Sequence, residues 1–227
     1  MIWGLSVLAI LGITFGPQLW VRYTLKQNRV ERPELQGTGG ELAIHLIKRF
    51  GLKGVTVIEG RDWEDYYDPD TRTVSLSPSH YWKKSISAVA VATHEIGHAI
   101  QHKEGHAGFM KRQRRIKQAI LIERISALVL MMTPLLFLIT RIPQSTLLTV
   151  TIGAVGLLTS LWVQCINLPI EFDASFNKAL PILADGYLSE EDVYAAQKVL
   201  KAAALTYVAS ALACLLNIGR WIMIFRR

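Results

Sequence analysis

Residues 2–21 contain no charged side chain. A helix of that length spans a hydrocarbon layer about 30 Å thick, so this stretch fits a lipid bilayer better than a soluble core. Three more apolar stretches follow: 125–140, closed by Arg141; 146–168, again free of charge; and 202–225, interrupted only by Arg220. Glu123 and Arg124 can snorkel at the entrance of the second stretch. The turn at residues 141–145 makes the second and third a hairpin, in which Gly153 and Gly156 allow close helix contact. The first stretch lacks a basic leader and a small-residue cleavage site, so it reads as an uncleaved anchor. The expected architecture is mainly α: a multi-pass membrane helical protein with about four transmembrane helices.

Composition agrees. The chain is 51% hydrophobic and only 19% charged, with a mean hydropathy of +0.27, which excludes a disordered chain. Cys165 and Cys214 are its two cysteines, too few for a disulfide framework or a four-cysteine zinc module. The net charge of +7 does not call for nucleic acid, because the basic residues are segregated. Residues 22–124 hold 18 of the 25 Lys and Arg, and Lys178, Lys198 and Lys201 add three. Basic loops stay in the cytoplasm, so both hydrophilic segments are expected there, with the lipid bilayer as partner. The cluster Arg22, Lys26, Arg29 and Arg32 directly follows the first span. Lys111, Arg112, Arg114, Arg115 and Lys117 suit anionic headgroups.

The chain thus divides into a first transmembrane helix (1–24), a cytoplasmic segment (25–118), a transmembrane hairpin (119–168), a second cytoplasmic segment (169–201) and a last transmembrane helix (202–227). In the larger segment a turn at residues 37–40 precedes a helical pattern over 41–50, stopped by Gly51. Residues 55–58 and 73–77 read as short strands around a turn at Asp68, Pro69 and Asp70. A small α+β part is therefore expected beside the membrane helices. From Ser85 onward the residues are small and apolar on nearly every helical face, the mark of a buried helix. In the second segment Ser189 precedes Glu190, Glu191 and Asp192, a helix start.

The buried helix contains His94, Glu95, Ile96, Gly97 and His98. Four residues apart, the two imidazoles leave one face, and each can offer a nitrogen to one Zn2+ at about 2.0–2.1 Å. Glu95 can act as general base on water activated by that ion. This is the HExxH pattern of zinc metallopeptidases, a zincin-like arrangement. Gly97 leaves room for a neighbouring element. A catalytic zinc site needs a third protein ligand. Gln101 and Glu104 exclude the metzincin continuation, and His102 lies too far along the helix to share an ion with His94. Glu171, just after the third span, is the best candidate, with Asp173 as competitor. Ser175, four after Glu171, shares its helical face and suits a hydrogen bond to a ligand histidine. Tyr66 and Tyr67 can donate to an oxyanion or simply pack as aromatics. His45 and His80 receive no role.

These pieces together resemble a known family, the YugP-like membrane-bound neutral zinc metallopeptidases of bacteria. The resemblance rests on Asp65-Tyr66-Tyr67-Asp68-Pro69, on residues 85–101 with their His-Glu-Ile-Gly-His-Ala-Ile-Gln core, on Glu171-Phe172-Asp173-Ala174-Ser175, and on residues 199–209. It implies a multi-pass plasma membrane protein with one Zn2+ per chain, held by His94, His98 and Glu171, with Glu95 as base and a polypeptide as substrate. More distantly the chain is similar to HtpX-like endopeptidases, with a gluzincin-like ligand set. In those an Asp stands four residues after the ligand Glu, where this chain has Ser175. By fold analogy with such proteases, the strand at 73–77 is expected to hold substrate backbone at a sheet edge.

The expected function is membrane-integrated, zinc-dependent hydrolysis of peptide bonds in membrane or membrane-near proteins at the cytoplasmic face. A zinc-holding membrane scaffold without catalysis is the competing reading. Glu95 separates the two, since a structural site needs no general base. A transporter is disfavoured because the apolar stretches hold almost no ionisable side chains apart from Arg220.

Overall fold

The computed structural model describes residues 2–206. The chain is mainly helical with one small sheet. It divides into two compact units, one holding residues 2–16 and 111–167, the other 17–110 and 168–206.

Helix α1, Ile2–Gln27, ends in Lys26, a cation in its last turn. Helix α2, Gly39–Arg49, begins at a capping box: Thr38 Oγ1 accepts from the Glu41 N–H, and the Thr38 N–H donates to Glu41 Oε2. Gly51, at φ 57°, turns the chain out of α2. Strands β1, Thr56–Glu59, β2, Tyr66–Asp68, and β3, Thr73–Leu76, form a sheet in the order β1-β3-β2. β3 runs parallel to β1 and antiparallel to β2, with Tyr67 opposite Val74. Asp68 closes the β2–β3 turn by accepting from the Asp70 N–H and the Thr71 hydroxyl. The sequence pattern missed β2, a strand of three residues that the turn signal overlaps. It also expected the strand at 73–77 to be an edge. That strand is central, so its backbone is already paired on both sides and the free edges belong to β1 and β2.

A short helix α3, Pro78–Tyr81, leads to α4, Ile86–Lys103. Ser85 caps α4 by accepting from the Ala88 N–H. Every residue of α4 from Ile86 to Gln101 is buried, as its all-round apolar pattern requires. Around it lie Leu42 and Leu46 of α2, Val74 and Leu76 of β3, and Leu183, Val199 and Leu200 from the C-terminal part of the chain.

Helices α5, Ala107–Thr140, and α6, Pro143–Phe172, are joined by a turn in which Arg141 takes φ 52°. The two pack closely where their small residues meet. A Cβ added at Gly153 would collide with Leu130, and one at Gly156 with Ser126. Helix α6 passes without a break into a π-helix, Asp173–Ala179, then α7, Leu180–Ala184. Helix α8, Glu190–Ala204, starts at Ser189, whose hydroxyl accepts from the Asp192 N–H.

Among the described residues two helices are long and apolar enough to cross a membrane, not the four expected: Ala107–Thr140 and the run Gln144–Ala184. The first apolar stretch is helical as α1 but is not one of these two. The fourth lies, with Cys214 and Arg220, outside the described residues from 207 onward. Helix α5 also begins well before its apolar stretch and carries the basic run 111–117 on its first turns.

Candidate metal centre

The spacing of His94 and His98 sets both rings on one side of α4, with centroids 4.8 Å apart and planes at 74°. Helix α6 delivers Glu171 to the same point, two residues before its winding widens at Asp173. Glu171 Oε2 lies 3.2 Å from Nε2 of His94 and 3.2 Å from Nε2 of His98. All three side chains are buried, and their ligand atoms lie within 4.8 Å of one another. Two donors bound at about 2.0–2.1 Å to a tetrahedral ion stand roughly 3.3 Å apart, so the two carboxylate–imidazole separations fit edges of such a site.

Hydrogen bonds on the far side of each ring decide what these nitrogens present. Ser175 Oγ is 3.0 Å from His94 Nδ1 and donates its own proton to the Leu200 carbonyl at 3.3 Å. Its oxygen is therefore left to accept, so His94 Nδ1 carries the hydrogen. Gln101 Nε2 donates to the Ile170 carbonyl at 2.9 Å and to Asp173 Oδ2 at 2.7 Å. Two acceptors on that side fix the amide orientation and turn Gln101 Oε1 toward His98 Nδ1 at 2.9 Å. His98 also carries its hydrogen on Nδ1. In the neutral rings both Nε2 lone pairs thus face a carboxylate oxygen. Three electron-rich atoms in a buried site repel each other unless a cation joins them, and two imidazoles with one carboxylate form a zinc donor set.

Glu95 is buried beside this cluster. Burial pushes its carboxyl above the ordinary range; the facing His94 and His98 oppose that, while Glu171 and Asp65 reinforce it. Gly97 is where the two halves meet. A Cβ there would stand 2.7 Å from the Ala174 carbonyl oxygen, so only a residue without a side chain lets the π-helix approach α4.

The other candidates separate. Asp173 does not enter the cluster. It accepts from Gln101 and Asn177, and these bonds with the nearby Lys178 outweigh partial burial and hold its carboxyl below the ordinary range. Tyr66 is 46% exposed. Tyr67 points to the opposite face of β2. Its hydroxyl bonds His102 Nδ1 at 2.8 Å, and its ring lies 6.2 Å from Phe109, which in turn stacks on His98 at 5.7 Å. Neither tyrosine stands among the three ligating groups. His102 is half-buried, and exposed His106 accepts from the Phe109 N–H.

Three groups escaped the sequence reading. Gln101 is legible there only as the residue three after His98. Phe109, on the first turn of α5, supplies the apolar wall behind the His98 ring. His80 is fully buried: its Nδ1 bonds Asp65 Oδ2 at 2.9 Å and its Nε2 lies 3.2 Å from the Ser87 hydroxyl on α4. The Ser77 N–H also donates to Asp65. Burial raises the Asp65 carboxyl, but these partners together hold it below its ordinary range. The network ties the sheet to the start of α4.

Comparison with known proteins agrees with this chemistry. The family described as "Putative neutral zinc metallopeptidase" matches residues 3–226. The protein described as "Putative membrane protease YugP" of Bacillus subtilis (strain 168) is 34% identical over 223 residues, covering 96% of this chain and 94% of that one. No solved structure matches the chain. A family match running nearly from end to end, over a buried pair of histidines and a facing glutamate, means that this chain belongs to that family of neutral zinc metallopeptidases.

Proposed function

We propose that the protein is a membrane-integrated zinc endopeptidase that hydrolyses peptide bonds of membrane or membrane-near polypeptides at the cytoplasmic face. The observation that carries the reading is the convergence of two imidazole Nε2 atoms on one carboxylate oxygen, each at 3.2 Å, buried beside a further carboxyl. His94, His98 and Glu171 would hold the ion. When bound, zinc would supply Lewis acidity, making water more acidic and polarising a carbonyl. Glu95 takes the proton of the attacking water and passes it to the leaving amine. Burial suits Glu95 to that exchange, since a raised carboxyl pKa makes it a better acceptor near neutral pH. Ser175 and Gln101 keep the ligand rings turned so that Nε2 faces inward.

Placement in the plasma membrane with both hydrophilic segments inside is part of the same proposal. It is supported by the basic residues clustered in those segments and by the two long apolar helices. Cysteine labelling of residues 60–80 in sealed vesicles tests it, and labelling from outside would reverse the orientation.

The decisive experiment compares the wild type with Glu95→Gln on a membrane-protein substrate set. The variant is expected to retain one zinc and to lose cleavage by about 10²–10⁴-fold. Equal cleavage by both would remove Glu95 as the base. Zinc bound with no cleavage by the wild type of any polypeptide in its membrane would favour the scaffold.

A further inference from the structure

Gln101 touches both halves of the metal centre. It is fully buried, and it stands on α4 three residues after His98, whose Nδ1 it faces. Its amide nitrogen is spent on Ile170 and Asp173, the residues that bracket Glu171 where α6 gives way to the π-helix. Gln101 thus bonds both a ligand histidine and the segment carrying the ligand glutamate. Ser175, by contrast, orients His94 from within the π-helix and anchors to α8 through Leu200.

We infer that Gln101 is a positioning residue for the zinc site. It fixes the ring and tautomer of His98 and, through Ile170 and Asp173, sets the distance of Glu171 from that ring. A carboxylate commonly bonds the outer nitrogen of a metal-ligating histidine. Here the carboxylate of Asp173 acts one step removed, with the amide between. Its charge strengthens the Gln101 N–H bond and polarises the amide oxygen that accepts from His98. The amide is suited to this place because it alone offers an acceptor to the ring and two donor hydrogens to the α6 segment. Glutamate at this position would turn an acceptor toward two acceptors.

The inference rests on His94, His98 and Glu171 holding zinc, so the test separates the two. Full-length wild type, Gln101→Met, Asp173→Asn and His94→Ala are purified in detergent and stripped of metal. Zinc affinity is measured by chelator competition, ligand geometry by the d–d spectrum of the cobalt-loaded protein, and fold by the melting temperature of the metal-free form. The wild type is expected to bind one zinc and His94→Ala none. Gln101→Met should bind about 10–100-fold more weakly with an altered cobalt spectrum, and Asp173→Asn roughly threefold to tenfold more weakly. A wild type that takes up no zinc overturns the metal reading itself. Stoichiometric zinc in the wild type, with affinity and spectrum unchanged in Gln101→Met, overturns the positioning role alone. The same holds if only the melting temperature falls, since that marks a structural strut. Should Gln101→Met fail to fold, Asp173→Asn decides: unchanged affinity there overturns the proposal.

Discussion

Helix α4 and the helix pair α5–α6 are both dominated by apolar residues, yet they have opposite surroundings. Residues 86–101 of α4 are all buried by other parts of the chain. The most apolar windows of the two long helices are only 17% and 25% buried, with Leu128, Met131, Leu135 and Leu158 exposed. Hydropathy therefore does not say what a helix is dissolved in. The residue sizes do: α4 is rich in Ala, Ser, Gly and Val, which let neighbours approach on every side, whereas α5 and α6 meet at Gly153 and Gly156 and expose many Leu, Ile and Met side chains. A helix enclosed by protein can hold polar groups in fixed positions, and this one holds the site.

The largest effect is expected from a charge placed inside α4. Val89→Asp buries a carboxylate among apolar side chains with no cation to meet it and should cost about 4 kcal/mol or more, read as loss of the folded protein. If it is tolerated, α4 is not the enclosed helix described. The matching change on the pair is Met131→Arg, at a side chain 64% exposed. In detergent its stability should stay within about 0.5 kcal/mol of the wild type, while insertion into a bilayer should become less favourable by about 2.5–3.5 kcal/mol. Collapse of the detergent-solubilised fold would mean that this face is packed against protein after all.

Asp65→Asn sharpens the comparison from the sheet side, because Asp65 and buried His80 tie the strands to α4. Removing a charge-assisted bond of this kind costs roughly 1.5–3 kcal/mol. The sign with pH follows from the lowered carboxyl. The unfolded chain binds the proton more readily, so the contribution is present above the ordinary carboxylate range and fades as pH falls through the folded value. Wild type and variant should differ in melting temperature at pH 7 and converge in acid. A constant difference would mean that the charge of Asp65 contributes nothing. The smallest effect belongs to Gly97→Ala. Its methyl group would stand 2.7 Å from the Ala174 carbonyl oxygen, so the backbone of the π-helix must shift away, for about 1–3 kcal/mol. Because that segment carries Ser175 and follows Glu171, zinc affinity should fall as well, and unchanged affinity would show that the gap has slack.

Much of this was legible locally. The cap at Ser189 acts within three residues of itself, and the four-residue spacing of His94 and His98 is a property of any α-helix, so local pattern carried these features. The apolar stretches at 125–140 and 146–168 announced the helix pair for the same reason. What local pattern could not decide was pairing over distance. Whether Glu171 or Asp173 turns inward depends on where α6 gives way to a π-helix and on how closely that segment meets Gly97, some seventy residues earlier. The central place of β3, the strand at Tyr66–Asp68, and the burial of His80 against Asp65 and Ser87 follow from packing as well. Helical spacing and capping are set by the backbone over a few residues, whereas a site assembled from two distant helices takes its geometry from the steric fit between them.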